Sequence, residues 1–163
     1  MRAELEQKLA DDFHFMKVFD DKIKEFRNDE HYAFEPFHIE CDSGWGNLIW
    51  DMCNEIKQAY EERGLPIDFV LDQIKEKFAR LTVYYHHRDT PIGLHGISFL
   101  GLGEIRTKHG DSDICKTVEG IVEKYEKLST TVCEYCGENG EVRNDMPWIK
   151  TLCKQCHEKA VKR

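Results

Sequence analysis

Residues 66–87 read PIDFVLDQIKEKFARLTVYYHH, and two periodicities compete within them. Val70, Leu71, Ile74, Phe78 and Leu81 recur at helical steps. Leu81, Val83 and Tyr85 instead alternate, and Thr, Val and Tyr favour a strand. The alternation predicts a strand over residues 81–86. Residues 68–78 fit either a short helix or a strand that turns back near Ala79 to pair with it.

Upstream, Leu5, Leu9, Phe13, Met16, Phe19, Ile23 and Phe26 lie on one face of a predicted amphipathic helix that ends near Asn28. That face either docks on the core, the preferred reading, or joins two copies as a homo-oligomer. "DEHYAFEPF", residues 29–37, reads as a connector because Pro36 disfavours helix at Glu35. A second helix opens at "CDSGWGNLIW", residues 41–50, with Asp42 or Ser43 as its cap. Trp45, Leu48, Ile49, Met52, Ile56 and Tyr60 form its apolar stripe, and Gly64 and Pro66 stop it.

Downstream, residues 86–113 hold five of the eleven glycines and four of the eight histidines, which predicts a long loop or irregular hairpin. Loops of that length in compact domains are often functional. A third helix comes next, with Ile114, Val118, Ile121, Val122, Tyr125 and Leu128 on one face and Ser112 or Asp113 as cap. It runs almost directly into Cys133, so the C-terminal segment should dock on the helical body rather than swing from a linker.

Cys133, Cys136, Cys153 and Cys156 form two Cys-x-x-Cys pairs with sixteen residues between them, the spacing of a structural zinc site. Each short turn presents two sulfurs, and four thiolates at ~2.3 Å close a tetrahedron around zinc with no open position for a substrate water. Two arms, around Glu141–Arg143 and Trp148–Leu152, should pair as a ribbon above the metal with Trp148 covering it. Cys41, Cys53 and Cys115 lack ligand spacing and read as small buried hydrophobes.

The formal net charge of −8 argues against a nucleic-acid binder. Residues 1–40 carry eleven acids against six bases, and residues 129–163 carry six bases against five acids. Four thiolates and one zinc ion add −2 to the latter, leaving about −1. No apolar run approaches the ~20 residues of a membrane helix. "MRAELEQKLADDF" lacks the apolar core of a secretory signal, which predicts a cytoplasmic chain with reduced thiols. Lys75, Lys77 and Arg80, with His86, His87, His95 and His109, make the one candidate pocket for a small anionic ligand. Solvated charge and loop histidines explain the same residues. No catalytic triad, zinc-protease, phosphate-loop or kinase signature is present.

Two stretches resemble a family of small proteins common in bacteriophages and prophages. One runs from "CDSGWGNLIWDMCNEI" into "QIKEKFARLTVYY", within residues 41–85. The other is "LSTTVCEYCGENGEVRNDMPWIKTLCKQC", residues 128–156. The chain departs from that pattern at Ala79, where a turn glycine is expected, at Thr82, near an expected arginine, and in a longer 86–111 loop. The resemblance implies a phage-borne accessory protein acting in the host cytoplasm.

Together these readings predict an α+β fold. Three main helices and a small sheet make a body over residues 1–128, and a zinc-ribbon-like module over residues 129–163 docks on it. The expected function is non-enzymatic: one structural zinc per chain, and binding of a host protein or defence component. The alternatives are sequestration of an anionic nucleotide signal and a nucleic-acid-binding regulator.

Overall fold

The computed structural model describes residues 1–17, 39–88 and 112–162, together with the backbone of residues 19–20 and 25–26. Residues 66–87 form a hairpin. Strand β4 (Phe69–Lys77) pairs antiparallel with β5 (Arg80–His87), and the short β3 (Ile39–Glu40) adds to β4 in parallel, giving the order β3-β4-β5. The register explains the helical spacing in β4. Leu71 lies opposite Tyr85 and Ile74 opposite Val83, with a bulge between Leu71 and Gln73. Tyr85 and Val83 share one face, so the extra residue brings Leu71 and Ile74, three apart, onto the same buried face.

The hairpin turns in two residues, with Lys77 paired to Arg80 and both Phe78 (φ 52°) and Ala79 (φ 63°) left-handed. Such turns favour Asn and Gly because a Cβ is strained there. Ala79 is held from both sides. Its N–H donates to Glu76 Oε1 at 2.7 Å, and its carbonyl accepts from Thr151 Oγ1 at 2.6 Å. Phe78 has no such anchor among the hydrogen bonds described, and it is 78% exposed. Replacing it should relieve strain at small cost in burial. Phe78→Asn is expected to raise stability by about 1 kcal/mol, read as a higher urea midpoint at unchanged m-value. A lower midpoint would show that the ring is held by contacts worth more than the strain.

The N-terminus differs from its periodicity. Helix α1 spans only Ala3–Asp12, succeeded by a 3-10 turn at His14–Met16. Phe13 is extended (φ −133°, ψ 101°), and Phe13, Phe15 and Met16 are all buried. A continuing helix would send Phe13 and Phe15 to opposite sides. Asp11 and Asp12 also close α1 with no basic residue in its last turn, against the helix dipole. Phe19 and Phe26 pair across a small ladder, β1 (Phe19–Asp20) with β2 (Glu25–Phe26), instead of sharing a helix face. The buried part of the predicted apolar face, Leu9, Phe13 and Met16, lies in the chain's own core. The connector around Pro36 lies outside the described residues.

Helix α2 (Gly46–Glu61) begins after a 3-10 turn at Ser43–Trp45. Neither Asp42 nor Ser43 caps it; the Ser43 hydroxyl accepts the Arg2 N–H at 3.0 Å instead. Gly64 (φ +61°) closes it, with Gly64 N–H donating to the Glu61 carbonyl and Leu65 N–H to that of Tyr60. Helix α3 (Asp113–Leu128) is capped by Ser112, whose Oγ accepts the Cys115 N–H. Trp45, Ile49, Met52, Ile56 and Tyr60 meet Val118, Ile121 and Val122 of α3 and Phe69, Leu71, Ile74, Leu81 and Val83 of the sheet in one core. Phe15 stands edge-on to Phe69 at 5.4 Å.

Both edge strands of the three-stranded sheet have backbone groups bonded from outside the sheet. On β3, Ile39 N–H donates to the buried Glu6 at 2.6 Å, and the Ile39 carbonyl accepts the Met1 ammonium at 2.9 Å. On β5, Leu81 N–H donates to Ser129 Oγ (2.8 Å) and Val83 N–H to Glu126 Oε1 (3.0 Å). Glu126 is fully buried and also accepts Arg80 at 3.0 Å. Capped edges resist pairing with other chains. No helix among the described residues is long and apolar enough to cross a membrane.

Candidate metal centre and its dock

After α3, a 3-10 turn at Ser129–Thr131 leads into the cysteine segment. In the first pair, Gly137 takes φ +82° and donates its N–H back to the Cys133 carbonyl at 2.8 Å. That tight knuckle turns Cys133 and Cys136 to one point. The second pair uses a helix end. Cys153 caps α4 (Lys154–Val161), its sulfur accepting the Cys156 N–H at 3.4 Å, so both sulfurs sit at the first turn. Strands β6 (Glu141–Arg143) and β7 (Lys150–Leu152) pair antiparallel, Glu141 opposite Leu152, and bring the two pairs together.

The four sulfurs lie within 4.8 Å of one another, and those of Cys136 and Cys153 are 3.7 Å apart. All seven cysteines are free thiols. A sulfur pair 3.7 Å apart is far outside the ~2.05 Å of a disulfide. The cluster is therefore compatible with a metal held by four thiolates. The Cys156 N–H and the neighbouring thiols draw the Cys153 thiol down to about 7, while burial and the same neighbours push the Cys156 thiol up. Cys133 is fully buried, Cys136 is exposed, and Cys153 and Cys156 lie between.

The knuckle is seated on the start of α2. A Cβ on Gly44 would lie 2.3 Å from the Cys133 carbonyl oxygen, 2.5 Å from that of Glu134 and 2.6 Å from the Gly137 nitrogen. Gly44 N–H donates to the Glu134 carbonyl at 2.8 Å, and the indole N–H of the fully buried Trp45 donates to the Val132 carbonyl at 2.8 Å. The buried Glu134 side chain accepts the Asp42 N–H (3.2 Å) and Lys150 Nζ (2.7 Å). Burial pushes its carboxyl above the usual range, with Lys150 pulling against that shift. Gly44, Trp45 and Glu134 carry this interface, and the sequence reading assigned none of them to it. The only outward sign was a tryptophan between two glycines in "SGWG".

Trp148 does not cover the metal centre: it is 80% exposed, in the loop that joins β6 to β7. Cys41, Cys53 and Cys115 are buried, and burial pushes the Cys41 and Cys53 thiols up, away from nucleophilic use.

Lys75 and Lys77 share one face of β4 and Lys77 lies opposite Arg80, so the three cations stand together near the turn, away from the described histidines. Lys75 Nζ lies 4.8 Å from the Tyr84 ring centroid and Lys77 lies near Phe78. Arg80, at the turn, pairs with Glu126. His86 and His87 lie at the far end of the hairpin, about 20 Å from Arg80 by strand rise. His86 meets Asp72 at 2.9 Å. His87 is buried against Asp68 (3.0 Å) and the Tyr60 hydroxyl (3.1 Å). His95 and His109 lie outside the described residues, as does most of the 86–113 loop. A cleft of about 440 Å³ lies elsewhere, lined by Arg2, Asp42, Ser43 and Tyr135, where the Asp42 carboxylate would oppose an anion.

The fold and site define an α+β protein, with four α-helices and small sheets among the described residues and a four-cysteine cluster compatible with a metal near its C-terminus. No family model matches the chain, and no curated protein or solved structure is significantly similar to it.

Proposed function

We propose that this chain is a non-enzymatic zinc-binding protein in which the metal holds a scaffold. Its task, in this reading, is to bind a host protein or defence component as a phage-borne accessory protein in the host cytoplasm. The four-sulfur cluster carries the scaffold part. Thiolates ~2.3 Å from one zinc stand about 3.8 Å apart at the corners of a tetrahedron, and Cys136 and Cys153 already stand 3.7 Å apart. Four thiolates fill the coordination sphere of zinc and leave no position for a reacting water. The knuckle that would hold the metal is spent on Gly44 and Trp45, a structural use.

The partner part rests on the sequence resemblance and on two aromatic side chains left in solvent, Phe78 and Trp148. Aromatic side chains are the commonest anchors of protein interfaces.

Purified protein is expected to contain one zinc per chain by elemental analysis. Tagged, metal-loaded chain is expected to capture a reproducible protein from host lysate, with reciprocal capture by that protein. Absence of zinc would end the scaffold reading. Steady turnover of a nucleotide or peptide by the metal-loaded chain would end the non-enzymatic one.

A further inference from the structure

The four cysteines of the cluster are unequally protected. Cys133 is fully buried, its carbonyl tied to Gly137 and its backbone pressed on Gly44. Cys136 is exposed, and Cys153, whose sulfur is 3.7 Å away, is partly exposed. These two belong to different pairs, one on the knuckle and the other at the start of α4. An oxidant from solvent therefore meets Cys136 first, and the sulfur beside it comes from the other arm of the ribbon.

We propose, building on the zinc reading above, that the cluster is a reversible peroxide-sensitive switch in which Cys136 is the oxidised ligand and Cys153 the resolving one. The Cys136 thiolate attacks one oxygen of a peroxide. The O–O bond breaks, a sulfenic acid forms, and water leaves after the second oxygen takes a proton. The Cys153 thiolate then attacks the Cys136 sulfur. The S–S bond forms, the S–O bond breaks, and the hydroxide leaves as water with a second proton. Two electrons pass from the sulfurs to the peroxide. Zinc loses two of its four ligands and is released, and Cys133 and Cys156 take up protons. The new bond joins the two arms that the metal held, so the ribbon stays closed and a dithiol reductant with zinc restores the starting state. Accessible thiolates with a resolving cysteine at hand take this route in preference to irreversible oxidation.

The test uses the full, metal-loaded chain and hydrogen peroxide. Metal content is measured first, then zinc release with a chromogenic chelator, then disulfides by peptide mass mapping. One zinc is expected to leave for every two thiols lost, with Cys136–Cys153 as the bond found and recovery on reduction with zinc. Cys136→His keeps a four-ligand zinc site of the Cys3His type and removes the exposed thiolate. Its zinc should leave about tenfold more slowly or less. Starting protein without zinc overturns both this switch and the zinc reading. Starting protein with zinc overturns the switch alone if it keeps the metal, forms bonds within the pairs, oxidises past sulfenic acid without a disulfide, or loses metal equally fast from Cys136→His.

Discussion

Gly44→Ala is expected to destabilise the protein by on the order of 4 kcal/mol. The added methyl would stand 2.3–2.6 Å from the Cys133 and Glu134 carbonyl oxygens and the Gly137 nitrogen. All three are backbone atoms of the knuckle, so no flexible side chain can swing aside. The knuckle must lift, which breaks the Gly44–Glu134 hydrogen bond and opens the one between Trp45 and Val132. The four cysteines are untouched, so zinc content should stay at one per chain while Trp45 emission shifts to the red. Gly120→Ala supplies the contrast, since a Cβ there meets nothing within 4 Å and α3 gains about 0.5–1 kcal/mol of helix preference. Urea midpoints of the two variants should move in opposite directions. A loss below about 1 kcal/mol at Gly44 would mean that the close approach is not a fixed feature of the folded state.

Cys153→Ser is expected to release the metal and unfold residues 130–163, at a cost on the order of 5 kcal/mol. A module this short buries little of its own. In α4 no residue is buried, and of the β6–β7 ribbon only Thr151 and Leu152 are. Metal–thiolate bonds must supply what burial does not. The body should keep its core, because α3 packs its apolar face on α2 and β5. It should nonetheless lose the links at Trp45–Val132, Leu81–Ser129 and Ala79–Thr151. Trp45, fully buried, is the fluorescent reporter, whereas Trp148 is already in water and should contribute no shift. Chelation of the native protein should give the same red shift. A variant that keeps its metal and its stability would show that the ribbon folds without a four-thiolate centre.

How much of this was legible in the chain depends on the range of the interactions. Cys-x-x-Cys spacing is local chemistry, and it pointed to the four cysteines whose sulfurs the structure brings within 4.8 Å of one another. Helices α2 and α3 were legible because a 3.6-residue stripe, Gly64 and Ser112 are local signals. The β4–β5 hairpin was half legible. Leu71 and Ile74 carry helical spacing, and only pairing with Tyr85 and Val83 across a bulge turns that spacing into one face of a strand. Ala79 argued against the turn, because the contacts that hold it there come from Glu76 and from the distant Thr151.

The same reason explains the misreadings. Phe13 and Met16 continue the helical pattern of Leu5 and Leu9, but Phe15 also goes inward, and the core's demand for both Phe13 and Phe15 overrides the local period. Trp148 was assigned to cover a metal because tryptophan is large and apolar, yet its place in the β6–β7 loop leaves it in solvent. Burial is a property of what lies opposite, which no stretch of sequence carries. Composition and spacing by themselves determined that this chain holds a four-thiol cluster on a mixed helix and sheet body. Only the tertiary structure decided that Gly44, Trp45 and Glu134 seat the cluster, because that interface joins groups about ninety residues apart in the chain, and the close approach of two backbones at Gly44 leaves no periodic trace in either.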